Sequence, residues 1–265
     1  MRHVLPVRPL AGYVGGKRQL AKRLIGRMAE IPHNIYAEGF VGMGGVFFRR
    51  DLVPRVEVIN DFNRDIANLF RVLQRHYQAF LDMLKWQLAS RAEFQRLLKL
   101  DADSLTDLER AARFLYLQRL TFGGKVAGRA FGIDTGNSSR FDMTKLGAML
   151  EDAHERLAGV TIECLDWRIF FERWDRPQTL FYLDPPYWGT ENYYPGKMFG
   201  ASDHQALADR LRGLAGNFVL TMNDTAETRA CYGAFNIEGV ELTYSAGGSH
   251  KLVAAREIVV SNWPK

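Results

Sequence analysis

Leu180-Phe181-Tyr182-Leu183-Asp184-Pro185-Pro186-Tyr187 is the stretch on which the reading of this chain turns. An apolar run of strand type delivers Asp184 to its carboxyl end, the edge at which open α/β sheets bind their ligands. The two prolines cannot continue a hydrogen-bonded ladder and have a fixed φ, so the turn is stiff and Tyr187 follows in a set position. That arrangement suits one chemical problem. The lone pair of an aromatic amine is delocalised into its ring, which makes the nitrogen a poor nucleophile. A carboxylate and a backbone carbonyl that accept both amine hydrogens favour a pyramidal nitrogen with its lone pair aimed outward. Asp184 and the Pro185 carbonyl can be those acceptors, and Tyr187 can stack on the ring, by positioning and electrostatics alone. The same letters also fit a plain strand end with an incidental acid and aromatic.

Outward from this turn, short β-like runs alternate with helical ones. Strands are expected at Ile35–Glu38, Arg55–Ile59, Val160–Leu165, Thr179–Leu183, Asn217–Thr221, Phe235–Leu242 and Arg256–Ser261. Helices are expected from about Val46, from Asn63 to Gln74 and from Asp203 to Leu214. Such alternation predicts an α/β domain with a largely parallel sheet covered on both faces. Between residues 76 and 149 the rhythm breaks. Tyr77 to about Arg119 is helical, with Leu105, Leu108, Ala112 and Leu115 on one face. A glycine-rich basic segment, Thr121–Phe141, and a helix, Met143–Leu157, follow. Residues 1–75 plus 150–265 are read as the α/β domain, and 76–149 as a mostly helical insertion carrying a loop or hairpin.

Four further stretches stand in order along the chain. Gly12-Tyr13-Val14-Gly15-Gly16-Lys17 comes first. Tyr36-Ala37-Glu38-Gly39-Phe40-Val41-Gly42-Met43-Gly44-Gly45 ends a strand in a glycine-rich turn, where backbone can approach a ligand closely. Asn60-Asp61 closes the second strand; an acid there either accepts hydrogen bonds from ribose hydroxyls or caps the following helix. Glu163-Cys164-Leu165-Asp166-Trp167 ends a strand before the Asp184 strand, and its last two residues fit either a ligand contact or a cap and core packing. Together with Asp-Pro-Pro-Tyr at 184–187, this order resembles the Dam-type (D12-class) DNA adenine methyltransferases. The likeness runs from about Gly12 to Trp263 and includes the closing strand Arg256–Ser261.

The resemblance implies a Rossmann-like S-adenosylmethionine-dependent methyltransferase fold with a DNA-recognition insertion. It implies transfer of a methyl group to the exocyclic amine of a flipped adenine, with Asp184, Pro185, Pro186 and Tyr187 as the catalytic turn. It places S-adenosylmethionine against Tyr13, Lys17, Glu38, Phe40, Gly42, Gly44, Asp61, Asp166 and Trp167, with Lys17 near the carboxylate of the donor. S-adenosylhomocysteine would be the product, and this chemistry needs no metal. Two departures stand out: Tyr13 replaces the more usual Trp, and Gly39 stands where the family usually has Pro. Tyr116-Leu117-Gln118-Arg119-Leu120-Thr121-Phe122-Gly123-Gly124 is similar to the family's Tyr-Leu-Asn-Arg-x-x-x-Asn-Gly stretch. The Asn-Val-Pro-Phe-Gly run of GATC-methylating members is missing. We therefore expect double-stranded DNA to be bound through Arg119, Lys125, Arg129 and Arg140, without GATC specificity. His204 and Tyr193-Tyr194 are expected where a loop closes over the flipped base.

Charge agrees with a polyanionic partner without requiring one. The net charge is +5. Met1–Ala29 carries seven basic residues and no acidic one; Arg110–Lys145 carries seven basic residues against Asp134 and Asp142. Two distant cysteines, Cys164 and Cys231, argue against a disulfide scaffold, and no histidine cluster has metal-ligand spacing. No membrane-length apolar run is present, so a soluble, cytoplasmic protein is expected. The rival expectations are methylation of another amine (RNA adenine, cytosine N4, a protein amide) or a DNA-binding protein without turnover.

Overall fold

The computed structural model describes residues 1–13, 15–132, 136, 138–190, 199–245 and 252–264. The first half of the chain forms β1 (Arg2–His3), α1 (Ala21–Ala29), β2 (Ile35–Glu38), β3 (Leu52–Val53), β4 (Val56–Asn60), α2 (Arg64–Leu84), α3 (Arg91–Lys99) and α4 (Asp107–Leu120). The second half forms α5 (Met143–Leu157), β5 (Thr161–Glu163), α6 (Trp167–Trp174), β6 (Thr179–Leu183), α7 (Ala201–Arg212), β7 (Asn217–Asn223), α8 (Ala226–Cys231), β8 (Asn236–Ser245) and β9 (Leu252–Ser261). Among the described residues, seven strands make one sheet in the order β5-β4-β2-β6-β7-β9-β8. The strands from β5 to β7 run parallel, and β9 enters antiparallel between β7 and β8. The expected mixed α/β architecture with a mostly parallel sheet is therefore what the chain adopts.

The strand order explains where a ligand can sit. From β2 the chain works outward through β4 to β5, then returns to lay β6 and β7 on the other side of β2. β2 and β6 are neighbours in parallel register, Glu38 opposite Tyr182. The order reverses between them, and at such a switch point a crevice opens outside the carboxyl ends of the strands. Every residue of β6 is buried. Its side chains alternate between faces, as a strand's must. Leu180 and Tyr182 join an apolar cluster with Leu24, Phe48, Phe70, Leu115 and Leu150. Phe181 and Leu183 join a second cluster with Phe170, Phe171, Leu207 and Phe218.

Two local readings change. The helix expected from Val46 is a single 3₁₀ turn, Phe47–Arg49. Arg50 is extended, and Leu52–Val53 then pairs antiparallel with Arg2–His3, a distant partner that draws the backbone out of helical geometry. Helix α2 runs past the expected domain boundary to Leu84, with a break in helical geometry at His76 (φ −130°, ψ 31°). α2 packs on α4 and α5. Side chains of the 76–149 segment, such as Phe114 and Leu146, therefore share one cluster with Ile59 and Leu180 of the sheet. A capping box between Thr106 and Glu109 starts α4. After α4 the glycine-rich segment makes one isolated bridge, Thr121 to Phe131.

Candidate active site

At the carboxyl ends of β2, β4 and β6 lies a cavity of about 1020 Å³, large enough for a nucleoside-sized ligand beside a second ring. Its wall includes Tyr13, Lys17, Glu38, Phe40, Gly42, Asp61, Asp166, Trp167, Asp184, Pro185, Pro186 and Tyr187. Residues read from five separate stretches of sequence thus meet in one place. Arg119 and Arg140 reach the same wall, whereas Gly44, Lys125 and Arg129 lie outside it.

Asp184 sits where its strand ends, with one carboxylate oxygen held twice. Lys17 Nζ lies 2.8 Å from Oδ1, and Thr221 Oγ1 on β7 donates to the same oxygen at 2.9 Å. The Lys17 side chain is 2% exposed and that of Asp184 20%, so the ammonium is inside and the carboxylate still opens to the cavity. Lys17 also donates to the Gly15 carbonyl and lies 4.7 Å from the centre of the Tyr187 ring. Burial raises the Asp184 carboxyl above the usual range; Lys17 pulls it back, Glu257 pushes it further up, and the Thr221 hydroxyl pulls it back again. Burial and the carboxylates of Asp184 and Glu257 keep the Tyr187 hydroxyl firmly protonated.

The glycine-rich turn is tied to the second strand by Asp61. Its Oδ2 accepts the Gly42 N–H at 2.8 Å and its Oδ1 the Asn63 N–H at 2.9 Å. Burial nevertheless raises its carboxyl to about 6, against the opposing pull of those two amides. Gly42 (φ 51°) has the left-handed backbone that an L side chain resists, and a Cβ there would meet the Tyr13 ring at 3.1 Å. Gly44 (φ 72°) faces Phe48, so its part is to let the turn close on the core. Gly39 donates its N–H to the Tyr182 carbonyl at 3.1 Å, a bond that the family's more usual proline could not make.

The remaining residues expected on the donor divide. Asp166 is the N-cap of α6, accepting the Arg168 N–H at 2.8 Å, so its capping role is present. Trp167 is 6% exposed and packs edge-on against Phe171, with Phe199 beside it and the Arg168 guanidinium 4.3 Å from its ring. Phe40 meets Phe199 edge to face. Glu38 is buried and accepts the Tyr36 hydroxyl at 2.5 Å. Burial pushes its carboxyl to about 8, and the Tyr36 bond and the nearby Arg50 only partly offset this. The Arg50 guanidinium lies 3.6 Å from the Tyr36 ring and donates to Glu57, which also accepts from Arg156 of α5.

Two of the four cations expected on DNA are turned inward. Arg119 donates to the backbone carbonyls of Leu10 and Arg140. Arg129 donates to Gln118 Oε1 at 2.9 Å and to the Lys125 carbonyl at 3.4 Å, with the Phe114 ring 5.3 Å away. Burial pulls both guanidinium pKa values down. Lys125 and Arg140 are exposed. Tyr193 and Tyr194 lie outside the described residues. His204 is buried in α7 against Trp188, Phe199 and Tyr232, so the side chain expected beside a closing loop is part of the core.

Several participants had been given no role of their own from the sequence. Asn60 uses its whole amide to join three strand ends: it donates to the Gly39 and Leu165 carbonyls and accepts the Leu165 N–H at 2.9 Å. Gln118, 1% exposed, donates to the carbonyls of Gly12 and Gly124 and so fastens the N-terminal segment to the turn after α4. Thr221 grips Asp184. Arg8, Arg18 and Arg49 also reach the cavity wall; the first two belong to the N-terminal basic stretch, the signal that could have found them. Among the described residues no helix is long and apolar enough to cross a membrane, and no group of three or more His, Cys, Asp or Glu is arranged to hold a metal ion.

The family model for D12 class N6 adenine-specific DNA methyltransferases matches residues 13–246. The chain is 27% identical over 285 residues to a protein named Type II methyltransferase M1.LlaDCHI, from Lactococcus lactis subsp. cremoris. That alignment covers 99% of this chain and 98% of the relative. Among solved structures, one described as precorrin 8W decarboxylase, the product of gene MT0146 of Methanobacterium thermoautotrophicum, is similar at a TM-score of 0.40. It is 13% identical, and the match covers 98% of each chain.

Proposed function

This chain belongs to the D12 class of N6 adenine-specific DNA methyltransferases, and from that premise we propose how its cavity methylates adenine in double-stranded DNA. RNA adenine and cytosine N4 fall outside the activity of that class. Family membership implies S-adenosylmethionine as donor; the residue assignments are our reading. The relative at 27% identity supports a Type II methyltransferase role for this chain as well. We divide the chain into residues 1–75 plus 150–265 for catalysis and donor binding, and 76–149 for target recognition. Action on DNA supports a cytoplasmic location.

The wall fits the donor. Phe40, Phe62 and Trp167 line the same cavity as Asp61, rings and an acid of the kind a purine and a ribose call for. The turn at Gly42 brings backbone to that wall without a side chain in the way. Tyr13, Lys17, Glu38, Gly42, Gly44, Asp61, Asp166 and Trp167 would hold it together with Phe40. Bound there, S-adenosylmethionine supplies an electrophilic methyl group on a sulfonium sulfur.

The protein's own task is to prepare the nitrogen. A target inside a duplex must first be flipped, at a cost of a few kcal/mol. Tyr187 stacks on the flipped base. Asp184 and the Pro185 carbonyl accept the two amine hydrogens and aim the lone pair outward. As the nitrogen is alkylated it becomes acidic, and the raised Asp184 carboxyl is the acceptor within reach of the departing proton. Pro185 and Pro186 keep these groups at fixed separation. DNA approaches across the face carrying Lys125 and Arg140, with Arg119 and Arg129 shaping that face from inside.

One observation carries this reading: the Asp184 carboxylate, held at Oδ1, opens into the same cavity as Asp61. Purified protein with labelled donor should place label on adenine as 6-methyladenine in duplex DNA. Asp184→Ala should lower the rate by at least about 10²- to 10³-fold while calorimetry shows donor binding retained. Label on single strands alone would remove the duplex from the proposal, and near-normal turnover in Asp184→Ala would remove Asp184.

A further inference from the structure

Thr221 lies on β7, one strand away from the catalytic turn, and is fully buried. Its Oγ1 is 2.9 Å from Asp184 Oδ1 and 3.2 Å from the hydroxyl of Tyr182, itself buried on β6. A threonine hydroxyl has one proton to give, whereas an ionised carboxylate has none. The proton on Oγ1 therefore goes to Asp184, and Oγ1 accepts from Tyr182. The result is a chain with a fixed direction, from the tyrosine O–H through the threonine O–H to the carboxylate.

Resting on Asp184 as the acceptor of the adenine amine, we propose that Thr221 is a positioning residue for methyl transfer, orienting the Asp184 carboxylate so that Oδ2 meets the substrate. Oδ1 takes Lys17 from the N-terminal segment and Thr221 from β7, two elements far apart in the chain. Two donors on one oxygen fix the plane of the carboxylate; Lys17 alone fixes only a distance. With the first oxygen held, the second is the one directed at the amine. Valine has the shape of threonine without the hydroxyl. It would leave Asp184 able to turn about Lys17, and the Tyr182 hydroxyl without its acceptor.

The surroundings set the direction of a further change. The titratable groups facing Asp184 are Lys17 from the N-terminal segment, Glu38 from β2, Tyr182 from β6, Tyr187 from the turn and Glu257 from β9. Burial and Glu257 raise the carboxyl, while Lys17 and Thr221 restrain it. Without the hydroxyl, Asp184 titrates at higher pH. The acid limb of the rate profile moves the same way, since the acceptor must be ionised.

The test uses the full chain with donor and unmethylated genomic DNA. Thr221→Val should lower kcat by about 10- to 100-fold, the range for a lost hydrogen bond to a charged group. Its donor dissociation constant should stay within about twofold, the mark of an interaction that acts only on the reacting amine. Carbon-labelled aspartate followed by NMR, without donor or DNA, should show the Asp184 carboxyl titrating higher than in the parent. Thr221→Ser should restore both the rate and the titration. If folded Thr221→Val keeps its rate and its titration while Asp184→Asn is inactive, the positioning role is overturned. If Asp184→Asn remains active, the reading of Asp184 beneath it fails instead. Should Thr221→Val not fold, Thr221→Cys, a weaker donor of similar size, carries the same comparison, and an unmoved titration in it overturns the proposal.

Discussion

The acidic turn after β6 and the basic stretch that begins in the last turn of α4 both reach the same cavity, yet the fold treats their charges in opposite ways. Asp184 is held from behind by Lys17 and Thr221, and its carboxylate stays open to the cavity. Arg119 and Arg129, expected to face a polyanion, spend their donors on Leu10, Arg140, Lys125 and Gln118. A carboxylate at a strand end beside two prolines has little choice of direction. A long arginine at or beyond the end of a helix has many, and carbonyl oxygens of neighbouring segments compete for it with any outside ligand. A sequence can therefore announce which acid opens to a cavity more readily than which cation does.

The widest break in this comparison would come from Arg119. Its guanidinium joins the N-terminal segment to residue 140, so Arg119→Ala should cost roughly 3 kcal/mol of stability, given two lost bonds from a charged donor. Lys125→Glu, at an exposed position, should change stability by less than about 0.5 kcal/mol. Chemical denaturation of both variants decides it. Equal stabilities would mean that Arg119 is as free to meet DNA as Lys125.

On the acidic side, Asp61→Ala should weaken donor binding by about 1.5–3 kcal/mol, the range for a hydrogen bond to a charged group. The pH dependence has a definite sign. The carboxyl is raised to about 6, and only its ionised form accepts from a hydroxyl without needing its own proton placed. Donor affinity should be full above that pH and fall as pH drops through it. Asp61→Asn should remove this dependence. An unchanged donor dissociation constant in Asp61→Ala, with lower stability, would assign Asp61 solely to the turn it already holds through Gly42 and Asn63.

What could be read without coordinates follows the same division. β2 and β6 occupy the expected Ile35–Glu38 and Thr179–Leu183 because a buried run of apolar and aromatic residues, stopped by glycine or proline, has few other conformations. The helix expected at Val46 fails because β3 is held by β1 some fifty residues earlier, a pairing with no local signature. Asp61, Asp184 and Gly42 were legible as positions at one cavity wall because acids and glycines are unusual at a strand end, whereas Gly44 lies outside that wall. Thr221, Asn60 and Gln118 were not legible. Each is an uncharged polar residue inside or at the end of an ordinary element, and each finds its role in a partner 37, 105 or 106 positions away.

The finest discrimination lies in the salt dependence of DNA binding. Each phosphate neutralised by a cation adds about 0.9 to the slope of log affinity against log salt, because one condensed counterion is released. Exposed Lys125 and Arg140 count toward that slope if they lie on the backbone; Arg129, paired to Gln118, does not. Lys125→Glu with Arg140→Glu should therefore flatten the slope by about 2, while Arg129→Gln leaves it unaltered. Filter binding across a salt series reads both. A slope untouched by the double reversal would place the DNA on another part of the rim, and Arg8 and Arg18 at the cavity wall are the cations positioned to receive it.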